Sequence, residues 1–345
     1  MGSGVVSMIA CLGIVVLTEE ESTMRLNASA LALIAGLLLA APAFAQGTGR
    51  SLDIQPGGRE NGLGAAGVAL ADDATGMTWW NPAGLGFVKR PGLQMTNAKL
   101  VPGLADDVSY NHLAYAQPME GWGGLALSVA FLSYGTSVAT DEAGNPGISF
   151  DSYEASSGLS YGVELLPDLA IGASVKYIHI QLAPSSYQGV ASALGFDLGC
   201  LYRLQPARLR LGASIQNLGP SVVFINEDQS SPLSRNIKTG FAWEAISGSG
   251  LTSTVVGDFN QSLVTSRFRT YHGGLEVKYS TETGKGAAGI GLAGRVGYYY
   301  DPLGEIKDMT YGLGLNWGSL TLDYGSVPQA TTLPHVEKIS LGYRF

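Results

Sequence analysis

Apolar and polar residues alternate along most of the chain from about residue 91 onward. In residues 271–279, for example, Tyr271 and Leu275 fall on one face and His272, Glu276 and Lys278 on the other. A period of two is typical of a β-strand with two unlike faces. About 14 such segments follow one another, beginning near residues 91, 106, 121, 152, 168, 190, 208, 234, 251, 266, 286, 309, 318 and 336. The pattern predicts an all-β protein.

The connections between these segments are short and long in turn. The short ones are 117–120, 167–168, 205–207, 247–250, 281–285 and 317–318, and the long ones are 101–107, 135–151, 183–189, 217–233, 260–265, 301–308 and 325–335. Bacterial outer-membrane barrels have an even number of strands, short periplasmic turns and long outer loops. We therefore predict a transmembrane antiparallel β-barrel of about 14 strands over residues 91–345. A secreted β-sandwich, which shows the same alternation, is the alternative.

The last predicted strand, residues 336–345, has one apolar face and ends on an aromatic residue. Its apolar face consists of Ile339, Leu341, Tyr343 and the terminal Phe345. This arrangement resembles the signal by which the barrel assembly machinery recognises outer-membrane barrels. We expect the C-terminal strand to bind that machinery.

Composition and charge favour a membrane barrel. Only 14% of the residues are charged and 48 are glycine, whereas globular domains carry about 25% charged residues and about 7% glycine. The formal net charge of −8 disfavours nucleic acid as a partner. Outer-membrane lipid is the expected surrounding of the apolar strand faces.

The N-terminal residues resemble an export signal. Met24 and Arg25 precede an apolar run at 31–40, and Ala43 and Ala45 form a small-residue cleavage site. We interpret residues 24–45 as a cleavable signal peptide and residues 1–23 as the product of a wrongly assigned start. No apolar run of 18 residues follows residue 45, so we expect no transmembrane helix. The predicted location is the bacterial outer membrane.

Residues 46–90 differ from the strands, because small residues dominate and 67–85 lacks their alternation. Asn before Pro suits a capped short helix. We predict that this segment is a hatch, meaning a plug that fills the lumen of the barrel. The candidate hatch or gate residues are Asp72, Asp73, Trp79, Trp80, Asn81 and Pro82.

Several polar residues fall on the strand faces that we assign to the lumen. They are Arg208, Arg210, His272, Glu276, Lys278, Arg295 and Asp323. Lumen positions are polar by default, so a salt-bridged lumen is the structural interpretation of most of them. Ion pairing with Asp72 and Asp73, which would make a gate, is the functional alternative.

No pattern in the chain indicates a catalytic, metal or cofactor site. The four histidines are not at metal-ligand spacing, and His272 has no serine partner nearby in the sequence. Residues 62–67 match G-x-G-x-x-G, but no βαβ unit surrounds them. We interpret them as flexible hatch backbone. We expect a protein that is not an enzyme and that binds no metal or cofactor. A barrel hydrolase is a further, less favoured alternative, because strands can bring distant residues together.

Motifs in both parts of the chain resemble a known family. Residues 64–67, 69–74 and 80–85 resemble the N-terminal hatch of the long-chain fatty acid transporter (FadL) superfamily. Residues 216–220, 239–243, 272–276 and 323–325 resemble its PorV/PorQ branch. The resemblance covers nearly the whole chain after residue 45. It implies a 14-stranded outer-membrane barrel with a hatch in its lumen.

The resemblance implies two possible functions. PorV and PorQ proteins belong to the type IX secretion machinery, which favours a secretion or surface-attachment component. Such a component would bind secretion-system proteins or secreted cargo, notably through loops 135–151 and 217–233. The alternative is passive uptake of hydrophobic small molecules, with a fatty-acid-like ligand. Partner binding predicts exposed apolar loops, and uptake predicts an apolar pocket beside the hatch.

Overall fold

The computed structural model describes residues 47–345 except for residues 142, 227, 229, 266, 282–288 and 330–332. The predicted start and signal peptide, residues 1–45, lie outside the described residues. No helix in the described part of the chain is long and apolar enough to cross a membrane.

Within the described residues, fourteen strands form one closed antiparallel barrel. Each strand pairs with the next along the chain, and the first pairs with the last, from Gly92 opposite Arg344 to Ala98 opposite Lys338. The strands are β1 Gly92–Val101, β2 Ala105–Met119, β3 Gly123–Thr140, β4 Pro146–Leu166, β5 Leu169–Gln181, β6 Val190–Leu204, β7 Leu209–Leu218, β8 Asn236–Gly248, β9 Leu251–Ser262, β10 Arg269–Ser280, β11 Ile290–Asp301, β12 Ile306–Trp317, β13 Leu320–Val327 and β14 Val336–Arg344. The predicted all-β antiparallel barrel of about 14 strands is confirmed.

The alternation in the sequence corresponds to the two faces of the barrel wall. On β10, Tyr271, Leu275 and Val277 are exposed on the outside, whereas His272 and Glu276 are buried inside. An outward apolar band suits the hydrocarbon of a bilayer, and an inward polar face suits a lumen.

The two ends of the barrel differ in their connections. At one end, here called the turn end, lie the connections after even-numbered strands, Pro91 and the terminal Phe345. At the other, the loop end, lie the connections after odd-numbered strands, including the 17-residue connection 219–235. Short 3-10 turns occur at both ends, at Ser185–Tyr187 in a loop-end connection and at Gln205–Ala207 in a turn-end connection.

Two of the long loops that the sequence predicts, 101–107 and 135–151, are wrong predictions. The β1–β2 connection is a tight turn, because Val101 already pairs with Ala105. Most of the predicted loop 135–151 is paired strand, from Gly135 opposite Ser152 to Thr140 opposite Pro146. The small and polar residues of this stretch suggested a loop, but a hairpin that extends beyond a membrane can be solvated on both faces. β3 and β4 therefore form the longest hairpin of the barrel.

The described residues before β1, from residue 47 onward, contain short helical turns. They are a 3-10 turn at Arg50–Leu52, helix α1 at Gly58–Asn61, a π-helical turn at Gly76–Trp80 and a 3-10 turn at Pro82–Phe87. Asn81 caps the last of these, its side chain accepting a hydrogen bond from Ala83 N, and Pro82 takes the first position. This is the cap that Asn-Pro predicts. Residues 47–91 are called the N-terminal segment below.

Candidate functional site

The N-terminal segment packs against the inward-facing residues of the barrel. Polar side chains of the wall bind its backbone N–H groups, which short helical turns leave unsatisfied. These bonds run from Ser51 N to Glu154, Gly58 N to Ser340, Gly64 N to Thr310, and Gly67 N and Val68 N to Asp258. The four acceptor residues lie on four different strands, β4, β9, β12 and β14, so the segment is held from several sides of the ring.

Inward-facing glycines let the backbone of the N-terminal segment approach the wall closely. A Cβ added to any of them would lie 3.0 Å or less from an atom of the segment. They are Gly124, Gly162, Gly172, Gly199, Gly212, Gly274, Gly297, Gly312 and Gly325. This contact surface explains part of the glycine-rich composition. A side chain at any of these positions would displace the segment or the wall.

The glycines of the G-x-G-x-x-G stretch are closely packed, and their interpretation as flexible backbone is wrong. Gly62 lies against Gly312, and a Cβ on Gly67 would lie 2.5 Å from the ring of Trp80. Gly64 has a φ of +76°, which favours glycine, and its carbonyl oxygen lies 2.6 Å from His272 Nδ1. These glycines serve packing within the barrel.

A chain of ion pairs joins the N-terminal segment to four strands. Asp72 lies 3.0 Å from Arg210 on β7 and 2.7 Å from Arg59. Arg59 continues to Glu276 on β10 at 2.9 Å. Arg295 on β11 then joins Glu276 at 2.7 Å to Asp323 on β13 at 2.8 Å. Six alternating charges therefore connect the segment with the wall, and both the structural and the gating interpretation have a geometric basis here.

Burial by itself would raise the pKa of Asp72, but Arg59 and Arg210 together hold that pKa well below its usual value. The carboxylate is therefore charged at neutral pH, and each of its oxygens accepts a charge-assisted hydrogen bond.

Asp73 does not join the ion-pair chain. Its Oδ1 accepts a hydrogen bond of 2.7 Å from Gly76 N at the start of the π-helical turn, and Gln94 Nε2 approaches Oδ2 at 3.4 Å. Burial and the charge of Asp72 raise the pKa of Asp73. The two acidic residues thus have different roles, one pairing with arginines and one shaping the segment.

The predicted tryptophans and Asn81 are also buried in the segment. The rings of Trp79 and Trp80 meet edge to face at 4.7 Å, and Lys238 Nζ lies 5.1 and 5.4 Å from their centres. Asn81 Nδ2 donates to Val68 O at 3.0 Å and to Cys200 O at 2.9 Å. These contacts fix the fold of the segment and its attachment to β6.

The structure places six of the seven predicted lumen residues on the inward side, and Arg208 elsewhere. Arg210, His272, Glu276, Arg295 and Asp323 make the contacts given above, and Lys278 is half-buried in a cavity. Arg208 lies in the β6–β7 turn with an exposed side chain and a φ of +50°. The prediction for Arg208 is wrong because the 3-10 turn at Gln205–Ala207 delays the start of β7 to Leu209.

Two cavities flank the N-terminal segment, one at each end of the barrel. The turn-end cavity measures about 450 Å³ and is lined by charged residues, including Asp72, Arg203 and Lys278. The loop-end cavity measures about 460 Å³ and has Trp79 and Tyr299 beside polar groups such as Lys238 and Asn260. Neither is the predominantly apolar pocket that uptake of hydrophobic molecules predicts.

One histidine outside the lumen has a serine and an aspartate within reach. His335 lies 3.1 Å from Ser326 Oγ and 3.2 Å from Asp308 Oδ2. However, Ser326 Oγ also donates to Glu337 Oε1 at 3.1 Å. That carboxylate would oppose the negative charge that develops in acyl transfer, so the cluster does not support a hydrolase.

Sequence reasoning missed Arg59 and Asp258, and it assigned Lys338 to the polar lumen face without its partners. Lys338 Nζ donates to Gln55 O at 2.7 Å and to Asn61 Oδ1 at 2.8 Å. The sequence signal that could have found these residues is that charged residues are rare among small residues and on inward strand faces. A buried charge at such a position needs a partner. The partner itself comes from another part of the chain and could not be read from spacing.

The N-terminal segment and the first nine strands of the barrel also match a family model. Residues 47–268 match the family model described as "Type IX secretion system protein PorV". The match covers more than half of the chain. The chain belongs to the PorV family. It is thus an outer-membrane β-barrel of PorV type.

Solved structures similar to this PorV-family chain are described as transporters and channels. The Ralstonia pickettii toluene transporter TbuX is 14% identical over 85% of this chain and 99% of its own, with a TM-score of 0.54. The CymD monoaromatic hydrocarbon channel is 15% identical over 84% of this chain and 97% of its own, with a TM-score of 0.51. At such identities the likeness shows a shared fold alone. A search of curated proteins finds no match.

Proposed function

We propose that this PorV-family barrel is a component of protein secretion or surface attachment that acts by binding protein partners at its loop end. The membership of the PorV family, whose description names the type IX secretion system, carries the proposal. In an outer-membrane barrel the short turns face the periplasm, which directs the loop end to the cell surface.

Exposed apolar side chains at the loop end support this proposal. Val138 and Ile148 lie on the extended β3–β4 hairpin, Tyr187 on the β5–β6 connection, and Val223 and Ile225 on the β7–β8 connection. Exposed apolar surface outside the membrane is typical of protein interaction sites.

The neighbouring connections are tied to one another. Ser152 Oγ of β4 donates to Leu182 O of the β5–β6 connection at 3.0 Å. Phe224 packs on the cluster that contains Ile180 of β5, Ala191 of β6 and Val222. The apolar residues of three adjacent hairpins are therefore presented on one side of the barrel.

Affinity purification of the tagged protein from outer membranes, with mass spectrometry, tests this surface. We expect secretion-system proteins or exported cargo to co-purify with the natural chain, and Ile225→Glu to reduce their recovery by about tenfold, since a buried charge is costly in an apolar interface. Leu333→Glu is the matched control, because Leu333 lies at the same end, half the ring away, between β13 and β14. Equal recovery with both variants would contradict the proposed surface.

Uptake of hydrophobic molecules is the second candidate, favoured by the shared fold with hydrocarbon channels. The charged side chains in the lining of both cavities speak against it. The same purification distinguishes the two, because a barrel without partners that carries an extracted apolar molecule would support uptake.

A further inference from the structure

The turn-end cavity concentrates positive charge in a protein whose net charge is −8. Seven of the chain's 20 lysines and arginines line it, with four carboxylates. The cations are Arg59, Lys89, Arg90, Arg203, Lys278, Arg295 and Arg344, and the anions are Asp72, Asp73, Glu276 and Asp323.

The ion-pair chain neutralises the inner part of this cavity. Arg59 and Arg295 share Asp72, Glu276 and Asp323, and Arg210 adds a further positive charge beside Asp72. For the other five cations, no ion pair is found among the described residues. The outer part of the cavity therefore has an excess of positive charge.

Two arginines of this outer part are held in place. The Arg203 guanidinium lies 3.6 Å from the centre of the Phe87 ring, and its buried Nε has no hydrogen-bond partner within the described residues. Arg344 Nη2 donates a long hydrogen bond of 3.4 Å to Asp72 O. Stacking and backbone contacts restrain these arginines, which lowers the entropy lost when their remaining N–H groups bind a ligand.

These cations reach the cavity from separate parts of the barrel. Arg203 belongs to β6, Lys278 to β10 and Arg344 to β14, while the exposed Lys89 and Arg90 precede β1 at the opening. Charges arranged around a concave, partly buried site focus the electric field and attract anions. Met77, Phe87 and Val88 add an apolar portion to the lining.

We propose that the turn-end cavity binds a small organic polyanion, a molecule with two or more carboxylate or phosphate groups, from the periplasmic side. Its volume of about 450 Å³ falls in the range of small-molecule sites. The guanidinium groups suit oxyanions, which they bind with paired hydrogen bonds. This site is at the opposite end from the loops of the proposed partner surface, so either proposal can fail without the other.

Calorimetric titration of the purified full-length barrel in detergent with citrate, a tricarboxylate, tests the proposal. We expect saturable binding that weakens with added salt, because screening reduces attraction to exposed charges. The double variant Arg203→Gln/Lys278→Gln should weaken binding by at least about tenfold. Arg208→Gln, which removes a charge at the same end but outside the cavity lining, should leave binding unchanged.

Folding of each variant is checked by the resistance of the barrel to unfolding in gel electrophoresis without heating. Should the double variant not fold, Arg344→Gln is the second test, because its exposed side chain stands at the edge of the cavity. Absence of saturation would overturn the proposal, as would equal losses in Arg208→Gln and the folded cavity variants. Binding of an acidic peptide with no binding of citrate would overturn the small-molecule assignment.

Discussion

At the residue scale, Asp72 links the N-terminal segment to the barrel, because it bridges Arg59 of its own segment and Arg210 of the wall. The sequence drew attention to it through an acidic pair among small residues. Its partners could not be predicted, since Arg210 is 138 positions away along the chain.

Replacing Asp72 with Asn keeps the size of the side chain and removes its charge. We expect a loss of roughly 1–2 kcal/mol in the free energy of unfolding, less than for a fully buried pair because the side chain is 32% exposed. Urea unfolding in micelles measures it. Asp106→Asn, an exposed residue at the loop end, is the control and should change stability little. If Asp72→Asn has the same free energy of unfolding as the natural chain, Asp72 does not anchor the segment.

The same residue predicts a pH dependence of stability. The folded-state pKa of Asp72 lies below the ordinary value of 3.8. The unfolded chain therefore takes up the proton first, and the contribution of Asp72 is present above about pH 4 and lost as the pH falls further. The difference in unfolding free energy between the natural chain and Asp72→Asn should accordingly shrink below pH 4.

At the scale of elements, the N-terminal segment fits the wall because the strands present glycines to it. On β11, Gly297 faces inward, and an added Cβ would lie 2.2 Å from Gly64 N and 2.4 Å from Leu63 C. Gly294 of the same strand faces outward, with no atom within 4 Å of an added Cβ. The two glycines of β11 are therefore a matched pair, one in contact with the segment and one without such a contact.

Gly297→Ala should destabilise the barrel by about 1–3 kcal/mol or displace the N-terminal segment, because overpacking forces backbone shifts. Gly294→Ala should have little effect. Urea unfolding together with limited proteolysis of the segment measures both outcomes. If the two variants are equally stable and equally resistant to proteolysis, Gly297 is not required for close packing of the segment on β11.

Secondary structure was largely predictable at this scale because alternation directly reports two unlike environments. The strand starts agree well for β1, β2, β6 and β9, for example. The start of β4 was mispredicted because solvent surrounds that part of the strand and removes the alternation. Arg208 was misplaced because it lies in a turn and not on a strand face. The role of the segment as a hatch or gate stays a prediction.

At the scale of the whole molecule, closure of the barrel depends on the pairing of β1 with β14. The end of β14 meets the start of β1 there, since Phe345 N donates to Pro91 O at 3.0 Å. Ile339, Leu341, Tyr343 and Phe345 are all exposed on the outer surface, and the Phe345 ring lies 6.4 Å from Tyr115 of β2 and 4.9 Å from Tyr343. The last strand therefore presents one apolar, partly aromatic face to the outside of the barrel.

We propose that this face is the signal read by the barrel assembly machinery. Phe345→Ala should lower the amount of folded protein in outer-membrane fractions severalfold, whereas Tyr311→Ala, an outward aromatic residue on β12, should lower it less. Quantitative immunoblotting of fractionated cells measures both. Equal amounts in the two variants would show that the terminal aromatic residue has no special role in assembly.

The sequence by itself determined the strand number, the faces of the strands and the family, because these depend on local period and on motifs of adjacent residues. Only the tertiary structure decided which glycines contact the N-terminal segment, which charges pair, and that unpaired cations gather at the turn end. Such features join residues that are far apart in the chain. Their positions follow from the register and closure of fourteen strands, which no local pattern specifies.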